Sequence, residues 1–183
     1  MIELSFTMSA ADIEYTEAFL QRMNLRKDHV TIDLHIPLAS IRFFVDGQSL
    51  TWCPSEGDSE EILLFACDLN VIVHTIQACQ EIEMPRIMEG GTRYFKRIDD
   101  HTVMIKNDYP EEVTVYCQLS ELKASSELFC SQLYKQIESL FPSYFELMDR
   151  LTGHKVFESG ETISEITIRQ LLLRDSQSLS SAP

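Results

Sequence analysis

The run ILLFACDLNVIVHTIQAC, residues 62–79, constrains the fold more than any other stretch of the chain. A bilayer span needs about 20 consecutive, mostly apolar residues. Here Asp68 lies near the middle, and Asn70, His74 and Gln77 follow it. An aspartate at a bilayer centre costs about 3 kcal/mol even on lenient scales. Upstream, Asp58 and Ser59 are good N-caps, and Glu60 and Glu61 suit a first helical turn. Asp58 and Glu61 also have capping-box spacing. The run therefore reads as an interior helix, extending to about Ile82, where Met84-Pro85 breaks it.

At about 100° per residue the side chains of this helix fall into four lines. Ile62, Phe65, Leu69, Val73 and Ile76 form one apolar stripe, and Leu64, Val71, Ala78 and Ile82 form another, nearly opposite. Between them run two polar seams, Asn70, His74, Gln77 and Glu81 on one side and Glu61, Asp68 and Thr75 on the other. One apolar stripe suffices for a surface helix, so two stripes predict a helix covered on both sides. The polar seams are its only places for chemistry. A buried Asp68 would need a hydrogen-bond partner, a cation or solvent. His74 could serve as ligand or base, although buried polar groups usually just bond their neighbours.

The flanking segments predict an α+β fold. IELSFTM (residues 2–8) and HVTIDLHI (residues 29–36) alternate like strands, and SAADIEYTEAFLQRMNL predicts a helix beginning after Ser9. IRFFVDGQSLTW is a hairpin turning at Asp46-Gly47. TRYFKRI, TVMIK and VTVYCQL, separated by DDH and NDYPEE, read as a three-stranded meander. Ser120 caps a long helix with Leu122, Phe129, Leu133, Ile137 and Leu140 on one face, and Pro142 interrupts it. SYFELMDRL and a segment starting at TISE predict two further helices. The expectation is a single α+β domain over residues 1–175, with an antiparallel sheet packed against a central buried helix and C-terminal helices. Residues 176–183, small and polar, are expected to form a disordered tail.

A length of 183 residues fits one domain with a sizeable core. Against 15 Lys and Arg stand 29 Asp and Glu, a net charge of −14. Such a surface repels nucleic-acid backbones and favours capture of a basic partner, although acidity also serves plain solubility. The N-terminus lacks the basic and apolar pattern of a signal peptide, and the five cysteines are odd in number and mostly set in apolar patterns. Both features predict reduced thiols in a cytoplasmic protein.

Specific chemistries find little support. Cys67, His74 and Cys79 lack the paired spacing of zinc ligands, and no metal or other cofactor is implied. TWCPSE echoes a thioredoxin-like opening, but Glu56 stands where a resolving cysteine belongs. A Cys53 nucleophile, or the Asp68/His74 seam, would define a small enzyme. MEGGTRYF carries adjacent glycines followed by a strand, not by the helix a phosphate loop requires. Arg93, Lys96, Arg97 and Lys106 with Tyr94 and Phe95 form a basic and aromatic cluster, read as the guarding of an edge strand. Between residues 54 and 90, Glu56, Asp58, Glu60, Glu61, Asp68, Glu81, Glu83 and Glu89 face one base, Arg86, a local net of −7. Both ends of the central helix are therefore acidic, and a basic protein could dock at either.

VTVYCQLSELKASSELFCSQLYKQI, a strand running directly into a long amphipathic helix, resembles small bacterial immunity proteins that neutralise toxins delivered between competing cells. The hairpin IRFFVDGQSLTW ahead of an acidic, apolar helix adds to the likeness, which covers about half the chain. The resemblance implies binding of a cognate toxin in the cytoplasm and obstruction of its active site, often by acidic side chains when the toxin is a nuclease. It assigns no individual residue. The expectation is thus a non-enzymatic acidic protein that binds a protein partner, with no nucleic acid and no membrane. Glu56, Asp58, Glu60, Glu61, Glu81, Glu83 and Glu89 are the candidate contacts. A small enzyme and a structural subunit of a larger complex are the alternatives, and the oligomeric state is open.

Overall fold

The computed structural model describes residues 1–24, 37–52, 59–85 and 91–146. The expected strand HVTIDLHI, Cys53, Glu56, Asp58, Glu89, the helix from TISE and the tail lie outside them, as does most of SYFELMDRL. The described chain runs β1 (Ile2–Thr7), α1 (Ala10–Asn24), β2 (Leu38–Val45), β3 (Gln48–Ser49), β4 (Glu60–Glu61) and α2 (Ile62–Thr75). It continues through β5 (Glu81–Pro85), β6 (Thr92–Arg97), β7 (Thr102–Asn107), β8 (Val113–Gln118) and α3 (Leu119–Leu140). The class is α+β, with the strands divided between two antiparallel sheets of four.

In the first sheet β1 pairs with β2, with Ile2 opposite Val45, Leu4 opposite Phe43 and Phe6 opposite Ile41. That register puts every apolar residue of β1 on the face where Ala39, Ile41, Phe43 and Val45 are buried. The hairpin turns at Asp46 and Gly47, whose φ angles are 50° and 77°. Two successive positive φ values define the turn type that matches strand twist, and Asp-Gly is among its preferred sequences. Glu60 and Glu61 pair with Ala39 and Leu38 at the other end of β2.

The second sheet is the meander β5-β6-β7-β8. Met84, Phe95, Val103, Ile105, Val115 and Cys117 fill its inner face. β8 passes into α3 without a loop, and the Leu119 N–H donates to the His101 carbonyl at 2.6 Å. The helix starts one residue before the expected Ser120 cap. Its N-cap position is Gln118, which makes no side-chain capping bond. Leu119, Leu122, Ser126, Phe129, Cys130, Leu133 and Ile137 are buried at three- and four-residue spacing.

Edge-on aromatic contacts join the layers: Phe6 to Phe129 at 5.3 Å, Phe129 to Phe65 at 5.6 Å and Phe65 to Phe43 at 6.4 Å. The path runs from β1 through α3 and α2 back to β2. Helix α2 thus has α3 and β2 as packing neighbours, and its buried residues spread around more than one side, from Ile62 and Phe65 to Leu64, Ala66 and Ile72.

Two boundaries of α2 differ from the sequence expectation. Its N-cap position is Glu61, again without a side-chain capping bond. Ser59 instead donates to Asp12 at 2.7 Å. Asp12 already closes a reciprocal capping box with Ser9 at the start of α1, accepting from the Ser9 N–H at 2.8 Å. The helix also ends at Thr75, not near Ile82. Thr75 Oγ1 donates back to the Val71 carbonyl at 2.8 Å, and the N–H groups of Ala78 and Cys79 turn onto the Thr75 carbonyl. Beyond the turn, Glu81-Ile82-Glu83-Met84 alternates, and the period-two pattern pairs as a strand with β6.

Candidate functional site

Of the acidic candidates at the two ends of α2, Glu60, Glu61, Glu81 and Glu83 lie among the described residues. Glu60 is only 9% exposed and Glu61 half-buried, both in the short strand ahead of α2. They do not form an open acidic helix end. Glu81 and Glu83 are exposed on β5, at the other end of a helix about 21 Å long. Glu81 lies 3.7 Å from the Lys96 ammonium. Along the polar seams Asn70 is buried, Asp68 is half-buried, and His74 and Gln77 are exposed. Asp68 and His74 are six residues apart, which sets them about 120° apart around the helix axis. They do not converge on one point.

The basic and aromatic cluster also resolves differently. β6 is an interior strand, not an edge. Along it Arg93, Phe95 and Arg97 share the inner face, while Tyr94 and Lys96 point outward. Arg97 donates to the Gln77 carbonyl at 2.8 Å, just past the C-terminus of α2, where a cation suits the helix dipole. Arg93 is only 1% exposed. Its guanidinium lies 3.9 Å from the Trp52 ring centre, 5.2 Å from that of Phe43 and 5.6 Å from that of Phe65. It donates to the Leu50 carbonyl and, at 3.6 Å, to Met84 Sδ. A desolvated cation over a tryptophan face gains about 2 kcal/mol. One side chain of the second sheet is thereby held by β2, the segment after β3, and α2.

Trp52 extends this cluster toward the surface. Its Nε1–H donates to Asn107 Oδ1 at 2.6 Å. Asn107, directly across the sheet from Arg93, is also 1% exposed. Its Nδ2 donates to the Tyr109 carbonyl. Asp108 accepts from the Thr92 N–H and donates its own N–H to the Thr92 carbonyl at 3.3 Å. Gly91 passes under this turn at φ 107°, where any Cβ would come within 2.8 Å of Tyr109 Cβ. The turn Asp108–Glu112, which includes a cis Tyr109-Pro110 bond, is therefore anchored from below and beside. It holds Tyr109, 39% exposed, together with exposed Asp108, Glu111 and Glu112. Glu112 lies 3.1 Å from Lys106 Nζ. In the sequence, NDYPEE signals a turn. Three acids around a tyrosine between two strands were the available signal of a displayed surface.

Other chemistry is sparse among the described residues. None of them form a group of three or more His, Cys, Asp or Glu placed to hold a metal ion. Cys67 is half-buried on α2 and Cys79 is exposed beyond it, not buried as its apolar setting suggested. Burial pushes the Cys117 and Cys130 thiols up to about 12, so both are protonated and unreactive at neutral pH. His74 is held below the ordinary imidazole value, first by partial burial and then by Lys123, against the pull of Glu127. No described helix is long and apolar enough to cross a membrane.

No family model, no curated protein and no solved structure matches this chain. The functional reading therefore rests on its own residues.

Proposed function

We propose that the chain is a non-enzymatic binding protein that takes a basic protein partner on the Asp108–Glu112 turn, and that this partner is a toxin domain whose activity it blocks. The observation that carries the reading is the turn itself: a protruding Tyr109 ringed by Asp108, Glu111 and Glu112, pinned through Asn107 to a buried cluster. Tyrosine is enriched among residues that dominate binding energy, and a pre-ordered loop pays less entropy on binding. Acidic rim residues steer a cationic partner, and a net charge of −14 extends that field. Glu83, exposed two residues before the end of β5, lies toward the same end of the second sheet. Glu60 and Glu61 support binding poorly because of their burial.

The test is titration calorimetry of the purified chain against a basic toxin domain encoded beside its gene. Binding is expected, weakening as salt is raised. Tyr109→Ala and the double variant Glu111→Lys/Glu112→Lys should each raise Kd about tenfold or more. Binding that both variants leave unchanged would remove the turn from the interface, and no binding at all would remove the toxin reading.

A further inference from the structure

The outer face of the second sheet is open to solvent. Two cross-strand rows lie on it. Glu81, Lys96, Met104 and Tyr116 form one, and Glu83, Tyr94, Lys106 and Thr114 the other. Tyr116 is 57% exposed, and Glu81, Glu83, Lys96 and Thr114 are exposed as well. In a chain of net charge −14 this face carries two acids and two bases. It is a region where a second equally acidic molecule could approach without the repulsion that the rest of the surface imposes.

The order of charges within the rows matters more than their sum. Consider two copies packed face to face about a two-fold axis parallel to the strands. β5 of one then lies over β8 of the other, and β6 over β7. Glu81 faces the Tyr116 hydroxyl and Glu83 faces Thr114, both hydrogen-bond donors to a carboxylate. Tyr94 faces Lys106, a cation over an aromatic ring, and Lys96 faces Met104. No like charges meet. An axis perpendicular to the strands would instead set β5 over β5 and bring four carboxylates together. We propose that the outer face of β5–β8 is a self-complementary interface for a second copy of this chain, with the two-fold axis along the strands. The face shares Glu83 and Lys106 with the partner reading but not the Asp108–Glu112 turn itself, and self-association is read without any partner present.

The size of the face sets the expected strength. Four strands at about 4.8 Å and six residues at about 3.3 Å give about 400 Å² of flat area per copy. A standard stable interface uses about 800 Å² per partner. At half that size the expected contact is a weak, concentration-dependent dimer, not an obligate one, and a micromolar Kd is the range to test.

Sedimentation equilibrium from about 1 to about 300 µM brackets that range. The native chain should pass from the 21.1 kDa monomer mass toward twice that value. Tyr116→Glu, at an exposed position, sets a carboxylate against Glu81 and should hold the chain at monomer mass with an unchanged circular dichroism spectrum. Thr114→Lys sets an ammonium against Glu83 of the second copy and should lower Kd about threefold to tenfold. A native chain that stays monomeric throughout, or a Tyr116→Glu chain that dimerises as well as the native one, overturns the proposal.

Discussion

Arg93 brings a formal charge to a position where almost none of its surface meets water. An ionised group loses its hydration there and must be repaid by protein dipoles and ring faces. The Leu50 carbonyl, the Trp52 face and the Met84 sulfur supply part of that. The aliphatic stem also fills core volume, so the residue contributes packing as well as charge. Arg93→Ala is expected to destabilise the fold by about 3–5 kcal/mol, the range for emptying a large core site. Arg93→Met, which keeps the stem and drops the charge, should cost distinctly less. Urea denaturation of both variants decides the matter. A loss below about 1 kcal/mol for the alanine variant would mean that the cage is incidental. The burial of Arg93 was in principle legible. Phe95 is an evident core residue, and a strand places its second neighbour on the same face. The mixture of bases and aromatics in the cluster masks that alternation.

At the scale of elements, α2 tests how far local pattern reaches. Its existence and one apolar stripe follow from the spacing of Ile62, Phe65, Leu69 and Val73, whereas of the expected second stripe only Leu64 is buried, Val71 being half-buried, Ala78 exposed and Ile82 part of β5. Nor do its ends follow from that spacing. Glu60 and Glu61 suit a first helical turn by local rules, but they pair with β2, a partner about 20 residues earlier that no local rule reveals. At the far end the same residues fit a continuing helix or a new strand, and the pairing of Ile82 with Phe95 settles it. The turn at Asp46-Gly47 and three of the four meander strands are readable because turn chemistry and alternation are local, while β5 is not. The candidate turn at Asp108–Glu112 was readable as a turn only, since its anchor, Asn107, depends on Trp52 across the interior.

The seam between α2 and α3 carries a pH dependence. His74 titrates below its ordinary value in the folded chain, through partial burial and Lys123, opposed by Glu127. The unfolded chain therefore takes up the proton first as pH falls. Stability is intact above about pH 6.5 and declines as pH drops below it, toward the folded value. The urea midpoint should fall more for the native chain than for His74→Asn between about pH 7.5 and about pH 5.5. Two proteins that track each other across that interval would assign the seam no such role.

At the scale of the molecule, the two sheets share no strand, and the second is built from neighbours in sequence. The β5–β8 meander and α3 have local connections that close early, whereas β1 must find β2 across α1. Such an arrangement would ordinarily permit one half to open while the other stays shut. Arg93 changes that. If the first sheet came apart alone, the Arg93 guanidinium would lose the Trp52 and Phe43 rings and the Leu50 carbonyl together. Opening one half therefore gives up contacts that belong to both. Native-state hydrogen exchange should report one opening free energy for the central amides of β2 and of β6, close to that of global unfolding. In Arg93→Met the two should separate, β2 exchanging first. Equal separation in the native chain would show that the halves open independently. Where β2 and β6 exchange together in the native chain and apart in Arg93→Met, a single buried side chain is the device that makes two neighbouring sheets melt as one cooperative unit.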